Sequence, residues 1–214
     1  MVIAIDGPAG AGKSTVARGV AEALGFTYLD SGSMYRSTAL AALRAGLDPG
    51  DGEAVTDLAR GLEIAVDGGT VLLGGVDVSG DIRTPAVTEA ASKVSAHPGV
   101  RESMVERQRA MIAAGDYVAE GRDIGTVVSP DSPLKVFLVA SDSERARRRA
   151  AQSGEPFEAV LAAQRERDRR DREREHGALR AAPDAVEVDT TGLEVGDVVA
   201  RVAELARGRG IGSA

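Results

Sequence analysis

Short apolar runs alternate along the chain with longer stretches in which apolar residues return every three or four positions. Val2–Ile5 closes on Asp6, an amphipathic stretch follows to Leu24, FTYLD runs over Phe26–Asp30, and helical spacing resumes from about Ser33 to Arg44. This alternation predicts an α/β fold with a parallel sheet. Further strands are expected at Tyr117–Glu120, Leu134–Val139 and Ala185–Val188. Helices are expected at Pro98–Ala114, Ser143–Ala151, Glu158–Glu175 and Val195–Arg207. One region breaks the rhythm. From Leu62 to Gly80, apolar runs are separated by Asp67-Gly68-Gly69 and Gly74-Gly75, the chemistry of tight hairpin turns, and a small antiparallel insert is expected there. Residues 208–214, rich in glycine, are expected to form a flexible tail.

Composition bounds the function. At 214 residues and 43% hydrophobic content the chain suits one domain with embellishments. With aromatics at 3% the core must be aliphatic. A net charge of −7 argues against nucleic acid as the main partner, because phosphate-backbone binding needs a dominant basic surface. The first apolar run is too short for a signal peptide, and no later run approaches the ~18 apolar residues of a membrane span. Without cysteine there is no disulfide and no thiol catalysis. The expectation is a soluble cytoplasmic protein with neither nucleic-acid nor membrane partner.

GPAGAGKS, Gly7 to Ser14, fits glycine, four residues, then Gly-Lys-Ser/Thr, directly after an apolar strand and before a helix. Glycines let the backbone curl until its N–H groups converge, and the helix N-terminus adds partial positive charge, so polyphosphate binds there. Lys13 would reach the β- and γ-phosphates and Ser14 would ligate Mg²⁺. Such a loop does not by itself separate a kinase from a nucleotide switch. The guanine-reading Asn-Lys-x-Asp pattern is absent from the sequence, and the one Asp-x-x-Gly match, Asp77 to Gly80, falls in the hairpin insert.

The acceptor side has three candidates. LDSGSMYR, Leu29 to Arg36, closes the second strand and opens the second helix, with Ser31 or Ser33 as N-cap. Arg36 then lies near the first turn, against the helix dipole, where an anion would compensate it; an ordinary surface arginine is the alternative. YVAEGRDIGTVV carries Arg122 and Asp123 to the carboxyl end of a strand, where α/β sheets bind ligands. A simple salt bridge is the alternative there. RERDRRDRERE, Arg165 to Glu175, is eleven consecutive charged residues. At ~100° per residue, Arg167, Asp171 and Arg174 share one helical face with Val160 and Gln164, while Arg169 and Arg172 point away. Residues 144–175 hold ten arginines against eight acids, so the stretch is no basic arm, and a solvated helix is its alternative reading.

IDGPAGAGKST, LDSGSMYR, VSGDIRT (Val78–Thr84), AASKVSAHPGVRESMVERQR (Ala90–Arg109), EGRDIGTVV and RERDRRDRER, in this order, resemble the bacterial cytidylate kinase family nearly end to end. The resemblance implies a P-loop kinase with a five-stranded parallel sheet flanked by helices. It further implies a hairpin-containing acceptor insert at about 61–97, a short helical lid at about 142–175, and a core from the remaining segments to about 207. It implies transfer of phosphate from ATP·Mg²⁺ to CMP or dCMP, by a monomer. ATP would be held by Gly7, Pro8, Ala9, Gly10, Ala11, Gly12, Lys13, Ser14 and Thr15. Ser92, Arg101 and Asp123 would meet cytosine, Arg36, Arg122 and Arg174 the CMP phosphate, and Arg167 with Asp171 the ribose, with Ser31 and Tyr35 also on the substrate. Arg145 and Arg149 would be lid arginines over the transferring phosphate. The sequence departs from the family pattern at Glu120, where the motif carries Asp. Rival readings are another small-molecule P-loop kinase, acting on UMP or shikimate, and a P-loop nucleotide switch or RNA-binding protein. The nucleophile of a nucleotide kinase is a phosphate oxygen already ionised at neutral pH, so no catalytic base is needed. His97 and His176 read as structural.

Overall fold

A computed structural model describes residues 1–212. The elements run β1 (Val2–Asp6), α1 (Lys13–Leu24), β2 (Thr27–Asp30), α2 (Ser31–Arg44), α3 (Gly52–Gly61), β3 (Ile64–Asp67), β4 (Thr70–Leu73), β5 (Val76–Asp77), α4 (Pro85–Val94), α5 (Pro98–Ile112), β6 (Tyr117–Gly121), β7 (Leu134–Val139), α6 (Asp142–Ser153), α7 (Phe157–Glu173), β8 (Val186–Asp189) and α8 (Val195–Arg207). Five strands form the sheet in the order β2-β6-β1-β7-β8. β1 is central, paired in parallel with β6 on one side and β7 on the other, and all five of its residues are buried. Such a strand has no polar face, which is why it reads as an uninterrupted apolar run. The expected insert is a three-stranded antiparallel sheet, β3-β4-β5, turning at Gly68-Gly69 and Gly74-Gly75.

Two compact units divide the chain: residues 1–27 with 115–214, and residues 28–114. The first holds the sheet's centre, the loop after β1, and helices α1, α6, α7 and α8. In the second, α2 to α5 and the small sheet close on their own core around Met34, Leu40, Val55, Ile82, Val94, Val100 and Met104. The second unit thus begins well before the acceptor insert expected at about 61–97, and α3 and α4 were not among the expected helices.

Local differences have physical causes. The N-cap of α2 is Asp30, which accepts from Ser33 N at 3.0 Å, where Ser31 or Ser33 was expected. Its carboxylate also takes Arg36, as described below, a second task no serine could perform. α7 ends at Glu173, and Arg174 is extended, with φ −60° and ψ 136°. Residues 208–212, expected to fray, form turns in which Ile211 is buried and Gly212 lies against Leu24 of α1. Burial of one isoleucine, whose N–H returns to the Ala206 carbonyl at 3.0 Å, favours this order; positions 213 and 214 of the expected tail lie outside the described residues.

Candidate active site

The loop after β1 is shaped by close approach. A Cβ at Gly7 would stand 2.2 Å from the Leu138 carbonyl oxygen of β7, and Gly7 has φ 151°, so only glycine lets β1 turn this tightly beside its neighbour. Gly12, left-handed at φ 88°, is the N-cap of α1. Lys13 opens the helix, buried, and folds back to donate to the Pro8 carbonyl at 2.8 Å. Burial pushes its ammonium down to about 7, with the nearby Arg122 guanidinium adding to the fall and Glu120 opposing it. Ser14 and Thr15 stand exposed in the first turn.

Asp6, at the carboxyl end of β1, is raised to about 6 by burial, against the amides of Gly125 and Ile124 that its two oxygens accept at 2.8 and 2.9 Å. Those bonds hold the irregular turn Ile124–Val128 that follows Asp123. Asp123 is buried beside Asp6, and its carbonyl accepts from Val127 N at 2.8 Å.

Arg122 and Arg174 meet on one carboxylate. Arg122 Nε donates to Asp171 Oδ2 at 2.8 Å and its Nη1 to the Gly7 carbonyl at 3.1 Å, while Arg174 Nη2 donates to Asp171 Oδ1. Asp171 is 1% exposed. Burial alone would raise its carboxyl; Arg122, Arg174 and Arg167 outweigh that and hold it near 2. Burial lowers the Arg122 guanidinium, but Asp171 overcomes it and the net shift is upward. Arg167, Asp171 and Arg174 are therefore drawn into one electrostatic group. By contrast Arg169 is exposed and paired with Glu166 and Glu173, and Arg172 is exposed.

Arg145 and Arg149 separate. Arg149 is exposed on α6. Arg145 is buried at 1% exposure, and each nitrogen of its guanidinium has a partner: Nη1 the Ala9 carbonyl at 2.6 Å, Nε the Ala140 carbonyl at 3.2 Å, and Nη2 both Asp142 and Asp168, each at 2.7 Å. Asp168 was not singled out from the sequence. It lies one turn beyond Gln164 on the buried face of α7, and a carboxylate on such a face is the signal that was there to be used.

In the second unit, Arg36 Nη2 pairs with Asp30 Oδ2 at 2.7 Å, so the anion its position called for is supplied by the N-cap itself. Arg101 is buried, with its guanidinium 5.6 Å from the centre of the Tyr35 ring and Nη1 donating to the Ser95 carbonyl at 3.4 Å. Ser95 Oγ in turn donates to the Ser92 carbonyl at 3.3 Å. The Ser92 hydroxyl is buried without a partner, and Ser31 is buried at the start of α2. Ser92, Ser95, Tyr35 and Arg101 thus form one linked group. His97 Nε2 lies 2.8 Å from the Pro49 carbonyl and His176 is exposed.

A parallel sheet with a glycine-rich loop, a buried lysine and paired arginines at its carboxyl edge defines a P-loop kinase fold. The model of the family described as cytidylate kinase matches residues 3–208. The chain is 51% identical over 219 residues to the cytidylate kinase of Mycolicibacterium paratuberculosis, covering 98% of this chain and 96% of that one. It is 48% identical to the cytidylate kinase of Klebsiella pneumoniae, over 96% and 95% of the two chains. An unliganded sugar kinase from Janibacter shares the fold at a TM-score of 0.50 and 13% identity, over 100% of this chain and 98% of that chain. The chain belongs to the cytidylate kinase family. Among the described residues no helix is long and apolar enough to cross a membrane.

Proposed function

We propose that this chain transfers the γ-phosphate of ATP to CMP or dCMP, giving ADP and CDP or dCDP, as a monomer in the cytoplasm. The observation that supports the reading most strongly, beside family membership, is the buried Asp171 carboxylate with Arg122 on one oxygen and Arg174 on the other. Guanidinium groups held in that way keep donors for an acceptor phosphate without rotamer search.

The chemistry needs no base. An ionised oxygen of the CMP phosphate forms a bond to the γ-phosphorus as the bond to the β,γ-bridging oxygen breaks, and ADP leaves with that electron pair. Catalysis reduces to alignment and neutralisation of charge. In the first unit the loop amides and Lys13 bind the donor phosphates, Arg122 and Arg174 hold the acceptor phosphate with Arg167 and Asp171 at the ribose, Asp123 reads cytosine, and Arg149 is the exposed lid cation for the transferring group. In the second unit Ser92 and Arg101 read the base, with Tyr35 beneath Arg101, while Ser31 and Arg36 meet the substrate.

The residues fit a Mg²⁺ that arrives with the nucleotide. Ser14 offers a hard, exposed hydroxyl oxygen at the loop, whereas the Asp6 carboxylate is buried, so Ser14 would be the direct protein ligand. Bound there, the ion would neutralise charge on the β- and γ-phosphates. The test is product analysis. With ATP, Mg²⁺ and CMP, phosphorus NMR should show ADP and CDP appearing in equal amounts; ADP and inorganic phosphate without CDP would contradict the proposal.

A further inference from the structure

A loop that turns its N–H groups toward a polyphosphate sends its carbonyls the other way, and each outward carbonyl needs a donor of its own. Four carbonyls of this loop have one. Gly7 O accepts from Arg122 Nη1 at 3.1 Å and Pro8 O from Lys13 Nζ at 2.8 Å. Ala9 O accepts from Arg145 Nη1 at 2.6 Å, and Ala11 O, at 3.3 Å, shares the Thr190 hydroxyl proton with the Val139 carbonyl at 3.2 Å. The first two donors belong to residues with direct roles in the proposed transfer. The other two do not.

Both of those donors are fixed from behind. Thr190, buried after β8, is gripped by Arg148, which donates Nη1 to its hydroxyl at 3.1 Å and Nη2 to its carbonyl at 2.6 Å while Nε holds Glu144 at 3.0 Å. Arg145 is fixed by Asp142 and by Asp168. Between the two capped carbonyls lies Gly10, where a Cβ would stand 3.0 Å from Gln164 Nε2 and 3.1 Å from Arg145 Cβ. Gln164 Nε2 itself donates to the Arg145 carbonyl at 3.2 Å. α6 and α7 therefore pack directly on the crest of the loop.

We infer that Arg145, and Thr190 held by Arg148, are positioning residues that fix the donor loop by capping Ala9 and Ala11, and that Arg145 does not contact the transferring phosphate. A guanidinium that swung out to the γ-phosphate would uncap Ala9 and leave Asp168, 2% exposed and with Oδ1 already lacking a donor, buried without its ion-pair partner. The inference rests on the reading of Gly7–Ser14 as the ATP site, but not on the acceptor.

ADP separates the two roles, because it has no γ-phosphate and its binding requires no CMP. Calorimetric titration of ADP should show affinity about tenfold weaker in Arg145→Lys and in Thr190→Val, the scale on which outer-shell partners tune a site. KM for ATP should rise with it, and KM for CMP should stay within about twofold. Unchanged ADP affinity in Arg145→Lys, with kcat down about tenfold or more, would make Arg145 a lid arginine and overturn the inference. Should Arg145→Lys fail to fold, Asp168→Asn, which loosens Arg145 in place, decides together with Thr190→Val, and ADP affinity unchanged in both overturns it. Absence of ADP binding to the wild-type chain would instead sink the reading of the loop, and the inference with it.

Discussion

Arg122 Nε donates to Asp171 Oδ2 at 2.8 Å, joining the end of β6 to the buried face of α7. Arg174 takes the other oxygen, so a single carboxylate sets two guanidinium groups. The carboxyl is held near 2, below its ordinary 3.8, so its contribution to stability is complete above pH 3.8 and is lost as pH falls toward 2. That contribution amounts to about 2 kcal/mol. Denaturant titrations of wild type and Asp171→Asn should therefore differ most above pH 4 and converge below it. A gap that is constant with pH would show that Asp171 acts through packing alone.

Arg172 and Arg174 are two residues apart and have opposite surroundings. Arg172 is exposed, whereas Arg174 sits on Asp171. Arg174→Met should cost at least ~2 kcal/mol of transition-state stabilisation, roughly thirtyfold in kcat/KM for CMP. Arg172→Met should cost nearly nothing, since surface ion pairs contribute only tenths of a kcal/mol. Steady-state kinetics with CMP varied checks both; equal losses would contradict the placement of the CMP phosphate.

Burial and the nearby Arg122 guanidinium lower the Lys13 ammonium to about 7. Donor phosphates favour the charged form and raise the ammonium again, so nucleotide binding above about pH 7 should take up a proton. Calorimetry in buffers of different ionisation enthalpy reads that uptake. It should be absent in Lys13→Met, which should also abolish transfer while retaining the fold. Uptake that persists in the variant would assign the proton to another group.

Cytosine presents an amino donor where uracil presents a carbonyl acceptor, so an ionised Asp123 facing that edge attracts one and repels the other. Asp123→Ala should lower kcat/KM for CMP far more than for UMP. Equal falls would remove Asp123 from base recognition.

What was legible in the sequence follows from what local pattern encodes. Val2–Asp6 and Leu134–Val139 are buried strands and read as apolar runs; Gly7–Ser14 reads as a phosphate loop from its glycine spacing, in which Gly7 answers a steric demand from β7 and Gly10 one from α6 and α7. The face of α7 was visible through Val160, Gln164 and Asp171. Arg174 was expected on that helical face, but it lies past the helix end and reaches back to Asp171 from extended backbone. Arg145 could not be told from Arg149 by spacing, since what distinguishes them is a carbonyl at Ala9, 136 residues away, and Asp168 on the next helix. Ser31 or Ser33 was the expected cap; Asp30 caps instead, and its carboxylate also pairs with Arg36, a contact that local spacing does not encode.

Phosphate transfer from ATP to CMP or dCMP is tested most directly by ADP formation with ATP and Mg²⁺ in the presence of CMP, dCMP, UMP or shikimate, each in turn, and with no acceptor. ADP should form rapidly with CMP and dCMP, far more slowly with UMP, and not above background with shikimate or without an acceptor. ADP formed at the same rate whether or not CMP is present, or fastest with UMP or shikimate, would contradict it.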